Sequence, residues 1–237
     1  MAVTFFDYKG ERYRRITYAQ ERRFCVGLDL GQANDPTAIA VVEHHRTPLD
    51  DFAVDRDRQA IKQRVEEFFD VRHLERLRLG TSYTDIAAYV AEIMRRSPLR
   101  ECGAELVVDQ TGVGRPVVDL LRRTGLRLIA ATITSGDSES RVSNDEWRVP
   151  KNLLVTGLDA KLSVKELRFS DQLREADTMK RELQDFRRHI GASGYMTYNA
   201  RSGAHDDLIL ATALAVWWLA ARKNRGEFAV VPVVGMF

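Results

Sequence analysis

Residues 24–43 read FCVGLDLGQANDPTAIAVVE, and the fold turns on this stretch. The apolar run 24–30 is short and ends beside a glycine, which predicts a buried strand. Asn34-Asp35-Pro36 is a turn signal, and residues 37–43 predict a second strand, so the two form a hairpin. Alternation puts Val26, Leu28 and Leu30 on one face of the first strand and Cys25, Gly27 and Asp29 on the other. An aspartate is disfavoured inside a strand. Asp29 is therefore either a strand-end turn residue or an acid kept there for its chemistry, with Gly27 leaving open space beside it.

Outward from this hairpin, strands come first and strand–helix alternation follows, which predicts an α/β domain with a mixed sheet. Ser82-x-x-Asp85 is a capping box with Asp in the Glu position, and Ile86, Val90, Ile93 and Met94 follow at helical spacing. Residues 104–109 (AELVVD) predict a strand. Gly112 and Gly114 then allow a sharp turn, and Pro116 suits the first turn of a helix over 117–123. Val117 stands where a dinucleotide fingerprint needs its third glycine, so the glycines mark a turn only. Residues 127–134 predict a strand and the polar residues 135–149 a loop. A helix over 151–162, a strand at 167–169 and helices over about 173–187 and 205–222 complete the reading. Residues 57–79 suit a helix by composition and a strand by their FFDVRHLERL run. Residues 1–23, where arginines interleave with Phe5, Phe6, Tyr8, Tyr13 and Tyr18, predict an arm or lead-in. The domain then spans 24–223, with a tail over 224–237.

Composition bounds the function. The chain has 237 residues, 44% hydrophobic and 30% charged, which suits one globular domain or two small ones. A net charge of +2 does not mark a nucleic-acid binder, but an acidic metal site would mask basic patches in that sum. No phosphate-binding G-x-x-x-x-G-K-[ST] loop occurs. The N-terminus lacks a signal-peptide core, and the longest apolar run, 208–221, is shorter than the roughly 20 residues that span a bilayer, so a cytoplasmic protein without a membrane partner is expected. Cys25 and Cys102 have no C-x-x-C spacing, and neither a disulfide nor a zinc site is expected.

Three acidic positions stand where apolar elements begin or end: Asp29, Asp109 at the end of LVVD, and Asp206-Asp207 before LILATALAVWW. Each alone also reads as a cap or turn residue. Helical spacing stacks Asp207 above Ala211, Leu214, Ala215 and Trp218, and the small alanines would let that face lie close to a sheet. Asp207 is thus aimed at the sheet, with Asp206 about 100° around the helix as a second ligand or a cap. Carboxylates gathered within a few Å cannot all stay ionised without a cation, and Mg²⁺ or Mn²⁺ is the natural oxygen-liganded choice. Basic candidates for DNA contact are Arg115 at a helix start beside the Asp109 turn, Arg148 and Lys151 after the polar loop, and Arg201 and His205 before the last acids. Trp217 and Trp218 read as core or an interface patch.

The stretches FCVGLDLGQANDPTAIAVVE, VRHLERLRLGTSY, ELVVDQTGVGRPVVDLLRRTGL, VPKNLLV and GAHDDLILATALAVWW, in this order over about residues 24–220, resemble the nuclease domain of phage terminase large subunits, in the ribonuclease H-like superfamily. The resemblance implies a mixed five-stranded sheet flanked by helices, with 66–75 as a strand. It implies that Asp29, Asp109, Asp206 and Asp207 are catalytic ligands of one or two Mg²⁺ or Mn²⁺ ions in a DNA endonuclease. Metal-activated water would leave 5′-phosphate and 3′-hydroxyl ends. The implied role is cutting concatemeric double-stranded phage DNA during genome packaging, in the host cytoplasm if the chain is phage-encoded. Family members carry an ATPase motor before the nuclease, and this sequence does not. A separate packaging ATPase, a small terminase subunit or a portal are the partners this implies. Three other readings stay open: a sugar-kinase or actin-like ATP-binding domain, which shares the VGLDLGQAND…AIAVV hairpin; a non-catalytic DNA-binding packaging subunit; and a Holliday-junction resolvase.

Overall fold

The computed structural model describes residues 4–31, 35–112, 115–185, 187–190, 196–199 and 206–223. Two N-terminal strands, β1 (Thr4–Tyr8) and β2 (Glu11–Ile16), precede the hairpin of β3 (Glu21–Asp29) and β4 (Ala38–Asp55), and β5 (Ala60–Arg76) follows. The order then runs α1 (Tyr83–Arg95), β6 (Glu105–Asp109), α2 (Arg115–Arg123), β7 (Leu128–Thr134), β8 (Ser140–Arg141), β9 (Glu146–Pro150), α3 (Lys151–Ser163), β10 (Leu167–Phe169) and α4 (Ala176–Asp185). A separate pair, β11 (Arg187–Ile190) with β12 (Met196–Asn199), and α5 (Asp207–Lys223) complete the chain.

The sheet order is β1-β2-β5-β4-β3-β6-β7-β9-β8, with β10 also pairing with β5. Its centre is the expected five-stranded mixed sheet: β5, β4 and β3 run antiparallel, and β3, β6 and β7 run parallel. Both faces of the central strands are covered. Cys25, Ala38, Ala40, Val42 and Val107 pack under α5, with Leu208, Ala211, Leu214 and Ala215 above them. Val26, Leu28, Ile39, Val41, Leu106 and Val108 pack on the other side against Ile86, Val90 and Met94 of α1 and Val117 and Leu121 of α2. Strands buried on both faces need apolar side chains at nearly every position, which is why β3 and β6 read as short continuous runs.

The sheet extends beyond its five-stranded core at both edges. Residues 4–16, expected as an arm or lead-in, form a hairpin that joins the sheet through parallel pairing of β2 with β5. Their buried signal is slight: in β2 only Tyr13 is fully covered, and arginines surround it. Residues 135–149, expected as a loop, hold β8 and β9, and β9 adds to β7 in parallel. Trp147 and Val149 alternate inward there between Glu146 and Arg148, a pattern too short to stand out from polar flanks. Trp147 meets Trp217 and Trp218 edge to face, with ring centroids 5.9 and 6.3 Å apart, and both α5 tryptophans are buried in the core. The ambiguous residues 57–79 form β5, because pairing with β4 along nearly its whole length outweighs local helix preference. Among the described residues no helix is long and apolar enough to cross a membrane.

Ser82 caps α1, but the reciprocal half of the expected box is replaced by a bond between the two side chains. The Ser82 hydroxyl accepts the Asp85 N–H at 3.1 Å and donates to the Asp85 carboxylate at 2.7 Å. Ser82→Ala is expected to cost about 1 kcal/mol, a fall of about 2–4 °C in Tm for a chain of this size, measured by thermal denaturation.

Candidate active site

The parallel register of β3 and β6 sets Asp29 directly beside Asp109. Alternation from Gly27 and Val107 turns both carboxylates to the face covered by α5. α5 lies unusually low on that face: a Cβ added to Gly27 would stand 1.8 Å from the Ala211 carbonyl oxygen. This close approach brings the head of α5, with Asp206 and Asp207, to the same end of the sheet. Asp109 and Asp207 are both buried at 7% exposure. The Asp109 carboxylate accepts the Thr111 N–H at 2.8 Å, and the Thr111 hydroxyl accepts the Ile133 N–H at 2.7 Å, so the turn after β6 is fastened to β7.

The electrostatics place Asp29 within reach of the other three acids. Burial pushes the Asp29 carboxyl well above the usual range; the negative charges of Asp109, Asp207 and Asp206 push it further, against the pull of Lys151. Burial also raises Asp109, opposed by its hydrogen bonds with Thr111. Lys151, at the start of α3, binds Asp206 at 2.6 Å, and Arg76, at the end of β5, reaches Asp207 at 3.3 Å. Among the described residues no three His, Cys, Asp or Glu side chains group closely enough to hold a metal ion. The donor set nevertheless fits a hard divalent cation. All four acids are carboxylates, the ligand type such an ion prefers, and the burial and repulsion that raise Asp29 are what it would offset.

The basic candidates separate. Lys151 borders the acid cluster through its ion pair with Asp206. Arg148 is exposed on β9, where alternation from Trp147 and Val149 turns it to the face opposite α5. Arg115 is 79% exposed and reaches Glu146 at 3.8 Å. Arg201 and His205 lie outside the described residues, as does the tail over 224–237.

One acid of the cluster escaped the sequence reading. Glu182 of α4 is buried, accepts the Ile209 N–H of α5 at 3.1 Å and forms an ion pair with Arg76. Burial pushes its carboxyl up to about 7, opposed by Arg76 and the Ile209 N–H and reinforced by Asp207 and Asp206. The available signal was its spacing: Ala176, Met179 and Glu182 share one helix face, and the first two are fully buried.

No protein-family model matches the chain, and no curated protein matches it. Solved structures do. The large terminase nuclease from thermophilic phage G20c aligns over 82% of this chain and 81% of its own at 20% identity, with a TM-score of 0.52. The same nuclease with bound magnesium aligns over 91% and 90% at 20% identity and a TM-score of 0.53. The Thermus phage P74-26 large terminase nuclease domain aligns over 82% and 78% at 19% identity and a TM-score of 0.51. These likenesses show the fold: the chain has a ribonuclease H-like mixed sheet flanked by helices, as found in phage large terminase nuclease domains.

Proposed function

We propose that this chain is a divalent-metal-dependent DNA endonuclease, acting on double-stranded DNA with Mg²⁺ or Mn²⁺. The observation that carries this reading is the register of Asp29 beside Asp109 under the head of α5, which gathers four carboxylates at one end of the sheet. Asp29, Asp109, Asp206 and Asp207 would hold one or two ions. Bound there, the metal supplies a water acidic enough to attack at neutral pH and positive charge for the phosphoryl transition state.

The protein's own groups do the rest. The Thr111 N–H fixes the Asp109 carboxylate in place. Lys151 balances Asp206 and holds an ammonium donor at the cluster's edge, where a DNA phosphate would approach. Phosphates and duplex shape rather than base edges meet such a site, so cleavage is sequence-tolerant. The similar structures support this reading because one of the G20c nuclease structures carries magnesium and another cobalt. The biological role we assign is cutting concatemeric phage DNA during packaging.

Incubation of supercoiled plasmid with the protein tests the activity. Nicked and linear products are expected with Mg²⁺ or Mn²⁺ and none in EDTA. No cleavage with either metal, together with tight ATP binding by calorimetry, would instead establish the ATP-binding reading.

A further inference from the structure

We propose that Glu182 is a positioning residue for Asp207: its carboxylate draws the Arg76 guanidinium off Asp207 and so sets how strongly that acid holds a divalent cation. The inference rests on the reading of Asp207 as a metal ligand.

The geometry is a contest over one nitrogen. Nη2 of Arg76 is ion-paired with Oε1 of Glu182 and also stands 3.3 Å from Oδ2 of Asp207. The closer partner is Glu182, so the guanidinium charge is shared and leans away from the ligand. Glu182 is itself fixed: its other oxygen accepts the Ile209 N–H at 3.1 Å, two residues past Asp207. The side chains of both acids are almost fully covered, at 5% and 10% exposure, and that of Arg76 is at 20%, so water screens the contest weakly. A divalent cation and a guanidinium compete for the same carboxylate oxygen, since each repels the other's charge. Any change that gives Arg76 wholly to Asp207 therefore opposes metal binding, and any change that removes Arg76 favours it.

Opposite signs follow for two neutralising variants. Glu182→Gln keeps the shape and an oxygen for the Ile209 N–H, but leaves Asp207 as the only carboxylate among these contacts for Arg76. Mn²⁺ affinity is expected to fall about 10-fold, the low end of what a supporting residue beyond the ligands controls. Arg76→Gln is expected to tighten Mn²⁺ binding about 3-fold or more, since it removes the competitor. The double variant is expected to return to within about 3-fold of wild type, a non-additivity that marks coupled neighbours.

Titration of the 237-residue chain with Mn²⁺ alone, followed by the electron paramagnetic resonance of the free ion and without DNA or turnover, reads these constants directly, with Asp207→Asn as the reference. A parallel fall in affinity in both single variants would show that the pair only props up α5, and would overturn the proposal. Unchanged affinity in Glu182→Gln, with weakened binding in Asp207→Asn, would overturn it while leaving the metal-site reading intact. Absence of Mn²⁺ binding by the wild type would overturn both.

Discussion

Asp29→Asn is expected to lower plasmid cleavage by at least about 100-fold, since supporting residues beyond the ligands already govern 10–100-fold in metal affinity or activity and a ligand itself governs more. The same variant is expected to melt at a higher temperature than wild type in EDTA at pH 8. Burial and three neighbouring acids raise the Asp29 carboxyl in the folded protein, so the folded state binds this proton more tightly than the unfolded chain does. Stability is then greatest at low pH. It falls as pH rises from the unfolded carboxylate value of about 3.9 up to the raised folded value, above which the full penalty of holding a buried charge persists. Asparagine carries no such penalty. Saturating Mn²⁺ reverses the ranking: at a 100-fold excess over Kd it adds about 2.7 kcal/mol to the wild type, and it adds little to Asp29→Asn. Scanning calorimetry with and without metal, beside a cleavage assay, checks both halves. A variant that cleaves normally, or that is less stable than wild type in EDTA, would contradict this account.

Gly27→Ala is expected to cost at least about 3 kcal/mol, the upper end of what overpacking a core exacts. The new methyl would stand 1.8 Å from the Ala211 carbonyl oxygen and 3.2 Å from the Ala215 backbone nitrogen. Neither neighbour is a side chain that can rotate away, so α5 as a whole must lift from β3. The fall in Tm is expected to be about 6–12 °C for a chain of this size. Because α5 carries Asp206 and Asp207, cleavage should fall more than the loss of folded protein explains. A variant with wild-type Tm and activity would show that α5 is not seated on Gly27.

Much of the site was readable before the fold was known, and for a physical reason. Strand alternation decides which face Asp29 occupies, and helical spacing decides that Asp207 lies above Ala211 and Ala215. Both periods are local properties of the backbone. The close seating of α5 followed from the same residues, since two alanines opposite a glycine leave room for backbone to meet backbone. What stayed hidden depends on contacts between distant segments. Nothing local to Arg76 or Glu182 says that β5 and α4 end beside the head of α5. The strand at 60–76 was obscured by charges that suit a helix, until β4 supplied a partner. The hairpin over 4–16 and β9 were missed because their buried signal is short: Tyr13 among arginines in β2, and Trp147, Val149 and Pro150 beside Glu146 and Arg148 in β9. The orientation of the basic candidates was hidden for the same reason. Lys151 turned inward to Asp206, whereas Arg148, three positions earlier, turned to the other face.

The central claim is that the carboxylates at the ends of β3 and β6 and the head of α5 make one metal site. A crystal of the wild-type protein soaked in Mn²⁺, with anomalous scattering recorded at the manganese edge, measures this directly. One or two peaks are predicted among Asp29, Asp109, Asp206 and Asp207, with at least one ion bound by both strand-end acids. Crystals that take up manganese only elsewhere, or not at all at millimolar concentration, would contradict it.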